Sequence, residues 1–115
     1  MSRKHRSIMA ARRRARAPVF AALGDETRLS LVARLCNGQP CSIAQLTQGS
    51  SLTRQGITKH LRVLESVGIV RSGRMGRENL FEFDPRPMEG IKEYLDFVSE
   101  QWDQALSQLK SFVED

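Results

Sequence analysis

The side chains best suited to recognition chemistry lie between Thr53 and Val67. In this segment Ile57, Leu61 and Leu64 recur at i, i+4 and i+7, which predicts a helix with one buried face. The opposite face then carries five polar side chains: Arg54, Gln55, Thr58, Lys59 and Arg62. Glutamine can pair with adenine and arginine with guanine, a threonine methyl can contact thymine, and lysine or arginine can hold phosphates. The segment therefore predicts a helix that reads base edges in a DNA major groove.

Capping residues around this helix predict a helix-turn-helix. Ser42 is expected to cap a short helix over residues 42–49, and Thr53 is expected to cap the polar helix, which Gly68 ends. The two capping hydroxyls can also contact phosphates, because helix N-termini bind anions. Two helices joined by a tight polar turn, the second with a polar outer face, are typical of DNA-binding proteins.

A β-hairpin is predicted directly after the polar helix. Residues 69–70 begin one strand and the alternating residues 80–83 form the other, around a turn at Gly73–Gly76. A hairpin in this position is a wing, so the expected fold is mainly α with a small β-hairpin, a winged helix-turn-helix. Arg74 and Arg77 lie at the wing, where they can enter an adjacent minor groove. A merely solubilising role for these arginines is the alternative.

The N-terminal segment, residues 1–17, is a basic arm with seven Lys/Arg and no acid. A solvated tail and an ordered arm that contacts DNA both fit this composition. We expect the folded part to begin near Pro18, because proline is favoured in the first turn of a helix. Asp25 is expected to cap a second, largely buried helix. Its apolar residues are Leu29, Leu31, Val32, Ala33, Leu35 and Cys36.

The C-terminal segment, residues 85–115, is predicted to be one long helix with Asp84 as its cap and Pro85 at its first position. It would span roughly 40 Å, which is longer than so small a domain needs. Apolar residues recur along it in two series spaced by seven, a pattern typical of helix association. These residues are Met88, Ile91, Leu95, Val98, Trp102, Ala105, Leu109 and Phe112. We therefore expect residues 18–84 to bind DNA and residues 85–115 to form a homodimer.

Positive charge is concentrated outside this last helix. Residues 1–83 hold 15 of the 18 Lys/Arg and 5 of the 13 acids, a net charge of +10, whereas residues 84–115 have a net charge of −5. This division indicates one surface that faces a polyanion and another that does not. The longest apolar stretches are far shorter than the roughly 20 residues of a membrane span, and the N-terminus does not resemble a secretory signal. Together with the low cysteine content, these features predict a cytoplasmic protein.

Catalytic chemistry is not indicated. His5 lies in the arm and His60 on the polar helix, with no acid at a useful spacing, and no glycine loop suited to phosphate is present. We therefore expect neither an enzyme nor a cofactor. His60 is expected to be packed and hydrogen-bonded, with a phosphate contact as the alternative. A dimerisation module with an incidental helix-turn-helix is the rival class, and it predicts no steep salt dependence of binding to duplex DNA.

Several segments together resemble the ArsR/SmtB family of winged-helix repressors. The resemblance covers residues 18 to about 87, and the pieces TKHLRVLESVGIV and GRENLFEFDP are its most specific parts. It implies a homodimer joined through its first and last helices, bound to an imperfect palindrome in a promoter and repressing transcription.

The chain departs from the metal-responsive members of that family. Their Cys-x-Cys-Asp-Leu motif is replaced here by residues 42–46, SIAQL, and the last helix has no histidine, so no metal site is predicted. Cys36 is expected to be buried and Cys41 to be a loop thiol. A thiol-based redox or metal-responsive repressor that uses these two cysteines is the alternative. A small-molecule inducer is a further possible partner, with the groove between the long helices as one candidate site.

Overall fold

The computed structural model describes residues 2–114, which form five α-helices and three β-strands. In chain order these are α1 (Arg3–Leu23), α2 (Glu26–Leu35), β1 (Cys41–Ser42), α3 (Ile43–Thr47), α4 (Arg54–Ser66), β2 (Val70–Met75), β3 (Glu78–Phe83) and α5 (Arg86–Glu114). Within these residues, no helix has the length and apolar character needed to cross a lipid bilayer.

Three helices begin at the predicted capping side chains. The carboxylate of Asp25 accepts the backbone N–H of Arg28 at 3.0 Å, and the hydroxyl of Thr53 accepts that of Gly56 at 3.1 Å. Ser42 and Gln45 exchange two hydrogen bonds in a capping box. These bonds satisfy donors that have no partner inside the helix, so the predicted starts of α2, α3 and α4 are confirmed.

The core lies beneath α4, between that helix and the sheet. Ile57, Leu61 and Leu64 of α4 are each at most 1% exposed, which confirms the predicted buried face. They belong to a cluster contributed by every helix and by the wing, whose largest fully buried members are Phe81, Leu35, Leu46, Ile57, Leu61, Leu64, Ile69 and Val70. Because the apolar side of α4 packs into this core, its polar side faces solvent.

The three strands form one antiparallel sheet in the order β1-β3-β2. Met75 pairs with Glu78, so the hairpin turn is the dipeptide Gly76-Arg77. The prediction of a turn spanning Gly73–Gly76 is therefore wrong in position, since Gly73 lies inside β2. Gly76 has a φ of +64°, the conformation that a two-residue hairpin turn requires at its first position. β1 was not predicted, because two residues are too few to show an alternating pattern.

The first helix is much longer than predicted. α1 begins at Arg3, with Ser2 as its cap, and contains Pro18 in its interior. The predicted start at Pro18 is therefore wrong. Met9 is only 6% exposed, and the N-terminal half of α1 packs along α5. Residues 2–17 are thus an ordered helix, because contacts with a distant segment stabilise a sequence that is only permissive for helix by itself.

The buried side of α2 also differs from the prediction. Leu31, Val32 and Leu35 are buried, whereas Leu29 is 53% exposed. Cys36, which was expected in the core, is an exposed thiol at the end of the helix. The apolar residues of α2 cover more than one side of the helix. Contacts with α4 and with β3 therefore decide which of those sides is buried.

The start of α5 lies one residue beyond the prediction. Pro85 immediately precedes the helix, and the carboxylate of Asp84 accepts the backbone N–H of Arg86 at 3.0 Å. At the first turns of α5, Ile91 is 7% exposed within the protomer core and Met88 packs against that core. These two members of the predicted dimerisation seam therefore contribute to the folding of the single chain.

Candidate nucleic-acid interface

The polar side of α4 is open to solvent. Arg54, Gln55 and Lys59 are exposed, and within residues 2–114 none of their side chains forms an ion pair or a hydrogen bond. Thr58 is half-buried, and its hydroxyl donates to the carbonyl of Arg54 at 2.7 Å. These groups are available for an external partner because the structure makes no other use of their charge or amide.

The N-terminal half of α4 lines a shallow recess next to α3. Arg54, Gln55 and Thr58 surround it together with Ile43, and its volume is about 430 Å³. A cationic side chain, an amide and an apolar wall are therefore brought together at one end of the helix. In helix-turn-helix proteins this end is the part that contacts base edges.

Arg62 has a different environment from the other polar residues of α4. Its guanidinium donates to Glu65 at 2.6 Å and lies 5.7 Å from the centroid of the Phe81 ring. Glu65 also accepts the hydroxyl of Ser72 on β2, and this bond, followed by the Arg62 contact, lowers the pKa of Glu65. Arg62 thus joins α4 to the wing. A phosphate contact would have to share this guanidinium with Glu65.

The two capping hydroxyls differ in their access to solvent. Thr53 is exposed and, while its oxygen caps α4, its own proton remains available to donate. Ser42 is only 6% exposed and takes part in the capping box with Gln45. The expected phosphate contact of the Ser42 side chain is therefore not supported, because its burial keeps a phosphate oxygen away from the hydroxyl.

The wing presents two free cations and uses a third internally. Arg74 and Arg77 are exposed and have no ion-pair partner within the described residues, as a DNA-contacting wing requires. Arg71, in contrast, donates to Glu82 at 3.1 Å and lies 3.7 Å from the carboxylate of Asp84. Arg71 therefore stabilises the base of the hairpin.

Asp84 joins the wing to α5. Its side chain accepts bonds from Arg86 at 2.6 Å and at 3.0 Å, and its backbone N–H donates to Ile69 at 2.8 Å. The guanidinium and backbone N–H of Arg86, with a further contribution from Arg71, lower the pKa of Asp84 to about 2. This buried carboxylate is therefore charged at neutral pH and holds the last strand in a set orientation to the last helix.

His60 and two arginines of α2 have structural positions that the sequence did not reveal in full. Arg28 donates to Nδ1 of His60 at 3.2 Å and to the carbonyl of Ala22 at 2.6 Å, which confirms the prediction of a packed, hydrogen-bonded histidine. Arg34 donates to the carbonyls of Leu46 and Gln45, each at 2.9 Å. These carbonyls lie at the C-terminal end of α3, where the helix itself provides no donor for them. No local sequence pattern indicated that Arg34 would be that donor.

Comparison with known proteins places this architecture in a family. The family described as "Helix-turn-helix domain" matches residues 23–73. The chain is 35% identical over 79 residues to the uncharacterized HTH-type transcriptional regulator YuzN of Bacillus subtilis, covering 64% of this chain and 86% of that protein. A solved ArsR-like transcriptional regulator from Rhodococcus sp. RHA1 is 32% identical, with a TM-score of 0.70 over 85% of this chain and 92% of that one. The chain belongs to the ArsR family.

A further similarity is to another HTH-type transcriptional regulator. The HTH-type transcriptional regulator Rv2034 of Mycobacterium tuberculosis is 28% identical over 88 residues, covering 76% of this chain and 78% of that protein. Family membership confirms the predicted winged helix-turn-helix, the DNA-binding role in transcription regulation and the absence of an enzymatic function.

The possible metal ligands of this ArsR-family protein are its His, Cys, Asp and Glu side chains. Within residues 2–114, no set of three or more His, Cys, Asp or Glu residues is placed to hold a metal ion. Cys36 and Cys41 are both free thiols, and Cys41 is half-buried in β1 rather than in a loop. Its thiol donates weakly to the carbonyl of Gln39 at 3.5 Å.

Proposed function

We propose that this ArsR-family protein acts as a homodimeric repressor that occupies an imperfect palindromic operator. The observation that carries the proposal is the set Arg54, Gln55 and Lys59 on α4, whose side chains are exposed and have no partner within residues 2–114. Each subunit would place α4 in a major groove and Arg74 and Arg77 of the wing beside it. Occupation of a promoter by the dimer would then exclude the transcription machinery from that site.

The apolar surface of α5 supports the dimer. The helix exposes large apolar side chains, Leu95 at 45% within the stretch that packs on α1 and, beyond that stretch, Leu109 at 57%, Trp102 at 61%, Leu106 at 62%, Val113 at 73% and Phe112 at 82%. Exposure of such a row to water is energetically unfavourable, and an exposed apolar patch of this kind marks a surface where proteins associate. Two copies related by a two-fold axis would cover it equally, and their α4 helices would read half-sites about one DNA turn, roughly 34 Å, apart.

The first experiment is a salt titration of DNA binding by the purified full-length protein. Duplex fragments are selected from genomic DNA, and the affinity of a selected fragment is measured between 50 and 200 mM salt. Because each phosphate contact releases counterions, the affinity is expected to fall by orders of magnitude, roughly 10³-fold or more. A monomeric chain that ignores duplex DNA at low salt would refute the proposal.

A matched pair of lysine variants makes this titration specific to α4. Lys59→Ala should weaken binding to all sequences and lower the salt slope by about one. Lys92→Ala removes the same charge from an exposed position on α5 and should leave the slope unchanged. Equal effects of the two changes would show that net charge, rather than the face of α4, drives binding.

A thiol-responsive or metal-responsive regulator is the second candidate, favoured by the exposure of Cys36. DNA affinity measured with oxidant, with reductant and with Zn²⁺ distinguishes the two functions. A response that is lost in Cys36→Ser would support the second candidate, whereas an unchanged affinity in all three conditions would leave repression without a thiol switch.

A further inference from the structure

A groove separates the N-terminal half of α1 from the middle of α5. Its volume is about 310 Å³, within the size range of small-molecule sites. Met9 contributes a buried side chain from α1, while Tyr94, Phe97 and Val98 contribute apolar surface from α5. The groove therefore combines apolar surface, able to receive a hydrocarbon chain or ring, with polar side chains in the same lining.

Both aromatic walls of the groove are supported by α1. The Tyr94 ring meets Phe20 edge to face, with centroids 5.9 Å apart and an interplanar angle of 67°. The Phe97 ring lies 6.2 Å from that of His5. Since each wall residue sits on a regular helix and contacts a second ring, the cavity exists before any ligand arrives.

The rim of the groove is cationic. Arg6 and Arg13 both line it, and a spacing of seven residues places them on the same side of α1, about 10 Å apart along its axis. Within residues 2–114, neither side chain forms an ion pair or a hydrogen bond, and no acidic residue is among those that line the groove. Two guanidinium groups are thus left without an anion beside an apolar lining.

We propose that this groove binds a small amphipathic carboxylate, with its apolar body between α1 and α5 and its carboxylate on Arg6 and Arg13. Guanidinium groups form strong, charge-assisted hydrogen bonds with carboxylates. The apolar part of the lining favours a ligand with a hydrocarbon body, which the phosphate of a nucleic acid lacks. The binding step does not depend on the proposed DNA-binding function and is tested without DNA.

The experiment is isothermal titration calorimetry of the full-length protein with octanoate and, separately, with octanamide. Octanoate is expected to bind, and octanamide, which keeps the chain but lacks the charge, should bind about tenfold or more weakly. The same titration is run with 4-phenylbutyrate and its amide to compare a ring with a chain.

Arginine variants locate the site. Arg6→Gln and Arg13→Gln should each lower octanoate affinity about tenfold or more. Arg14→Gln is the matched control, because Arg14 is equally exposed on α1 but does not line the groove. All three positions are exposed, so folding should be retained and is checked by circular dichroism.

Four outcomes would overturn the proposal. The first is the absence of octanoate binding, and the second is equal binding of octanoate and octanamide. The third is equal loss of binding in Arg13→Gln and Arg14→Gln, which would show general attraction to a basic helix. Sedimentation is measured in parallel. If the Arg6 and Arg13 changes alter the mass of the particle and not ligand affinity, the groove is a contact between copies and the proposal is wrong.

Discussion

The arginines of this protein fall into two groups, which differ in whether the side chain binds a group inside the protomer. Arg28, Arg34 and Arg86 hold backbone carbonyls or a carboxylate inside the protomer, where hydrogen bonds from a charged donor are stronger than neutral ones. Arg74 and Arg77 at the wing are exposed and unpaired within the described residues. A count of positive charges therefore overstates the number of cations that can face DNA.

Asp84 provides a pH-dependent test at the residue scale. Its pKa is about 2 in the folded protein against an ordinary value of 3.8, so the folded state binds this proton more weakly than the unfolded state. The resulting stabilisation is present above about pH 4 and is lost as the pH falls toward 2. Asp84→Asn should therefore show a flatter dependence of the free energy of unfolding on pH across this window, measured with urea.

The partner of this carboxylate supplies the control. Arg86 is the principal cause of the lowered pKa, so Arg86→Met should flatten the same pH dependence while leaving Asp84 in place. Curves for both variants that run parallel to that of the unchanged protein would contradict the role assigned to this pair.

Gln55 provides a test of base reading. Gln55→Ala should reduce affinity for a selected operator by about 1–3 kcal/mol and relax specificity at one base pair, because a bidentate contact with adenine is lost. The measurement is a competition assay against operators changed one base pair at a time. Gln104→Ala, at an exposed position on α5, should leave the whole profile unchanged. A uniform loss at every position would exclude base reading by Gln55.

At the scale of elements, short-range chemistry determines where most helices and strands begin and end. Thr53 and Gly68 bound α4 through a capping hydroxyl and a left-handed glycine with a φ of +80°. In the neighbouring wing, Gly76 ends β2 at the hairpin turn and also has a left-handed φ, +64°. α4 and the wing are in contact through Arg62, Glu65 and Ser72. A substitution in either element should therefore perturb the position of the other.

The wing turn can be tested with two glycines of the same strand pair. Gly76→Ala should lower the free energy of unfolding by about 1–2 kcal/mol, because a left-handed conformation is strained for alanine. Gly73→Ala adds the same methyl group where φ is not left-handed and no atom lies within 4 Å, so it should change stability by less than about 0.5 kcal/mol. Urea unfolding measures both. Equal effects would show that the turn does not need its glycine.

At the scale of the whole molecule, the chain is elongated. Its longest dimension is 64 Å against 33 and 22 Å for the others, and α5 alone has 29 residues. α1 packs along the first half of α5, and the second half carries most of the exposed apolar residues. A shape of this kind leaves much apolar surface in water unless a second copy covers it.

Trp102 tests the association of two copies. Trp102→Ala should shift the protein from dimer toward monomer in sedimentation equilibrium, because a large apolar side chain is removed from the proposed interface. The side chain is 61% exposed in the protomer, so the monomer should remain folded by circular dichroism. Glu100→Ala, on the same helix, should preserve the dimer. A stable dimer after the Trp102 change would mean that the copies associate elsewhere.

Much of the fold and the reading face of α4 were predictable from local patterns. The period of Ile57, Leu61 and Leu64 placed the buried side of α4, and the exposed position of Lys59 and its neighbours followed from it. Burial of Ser42 and the contacts that Arg62 and Glu65 make with Phe81 and Ser72 were not predictable, because they depend on residues brought in by folding, whereas the Arg62–Glu65 pair itself is an i,i+3 contact within α4. The candidate site was therefore proposed from the sequence, and for Ser42 and Arg62 that proposal did not include the burial of the first or the contacts of the second.

The sequence by itself determined the capped helix starts, the amphipathic face of α4 and the existence of the hairpin. Each of these follows from side chains within a few residues of one another, where propensity and periodicity act directly. Only the tertiary structure decided that residues 3–17 form a helix, that Leu31 rather than Leu29 is buried, and that Glu65 accepts the hydroxyl of Ser72 on the wing. Those outcomes depend on contacts with α5, the core and β2. These contacts join residues that are far apart in the sequence, so local propensity and periodicity could not predict them.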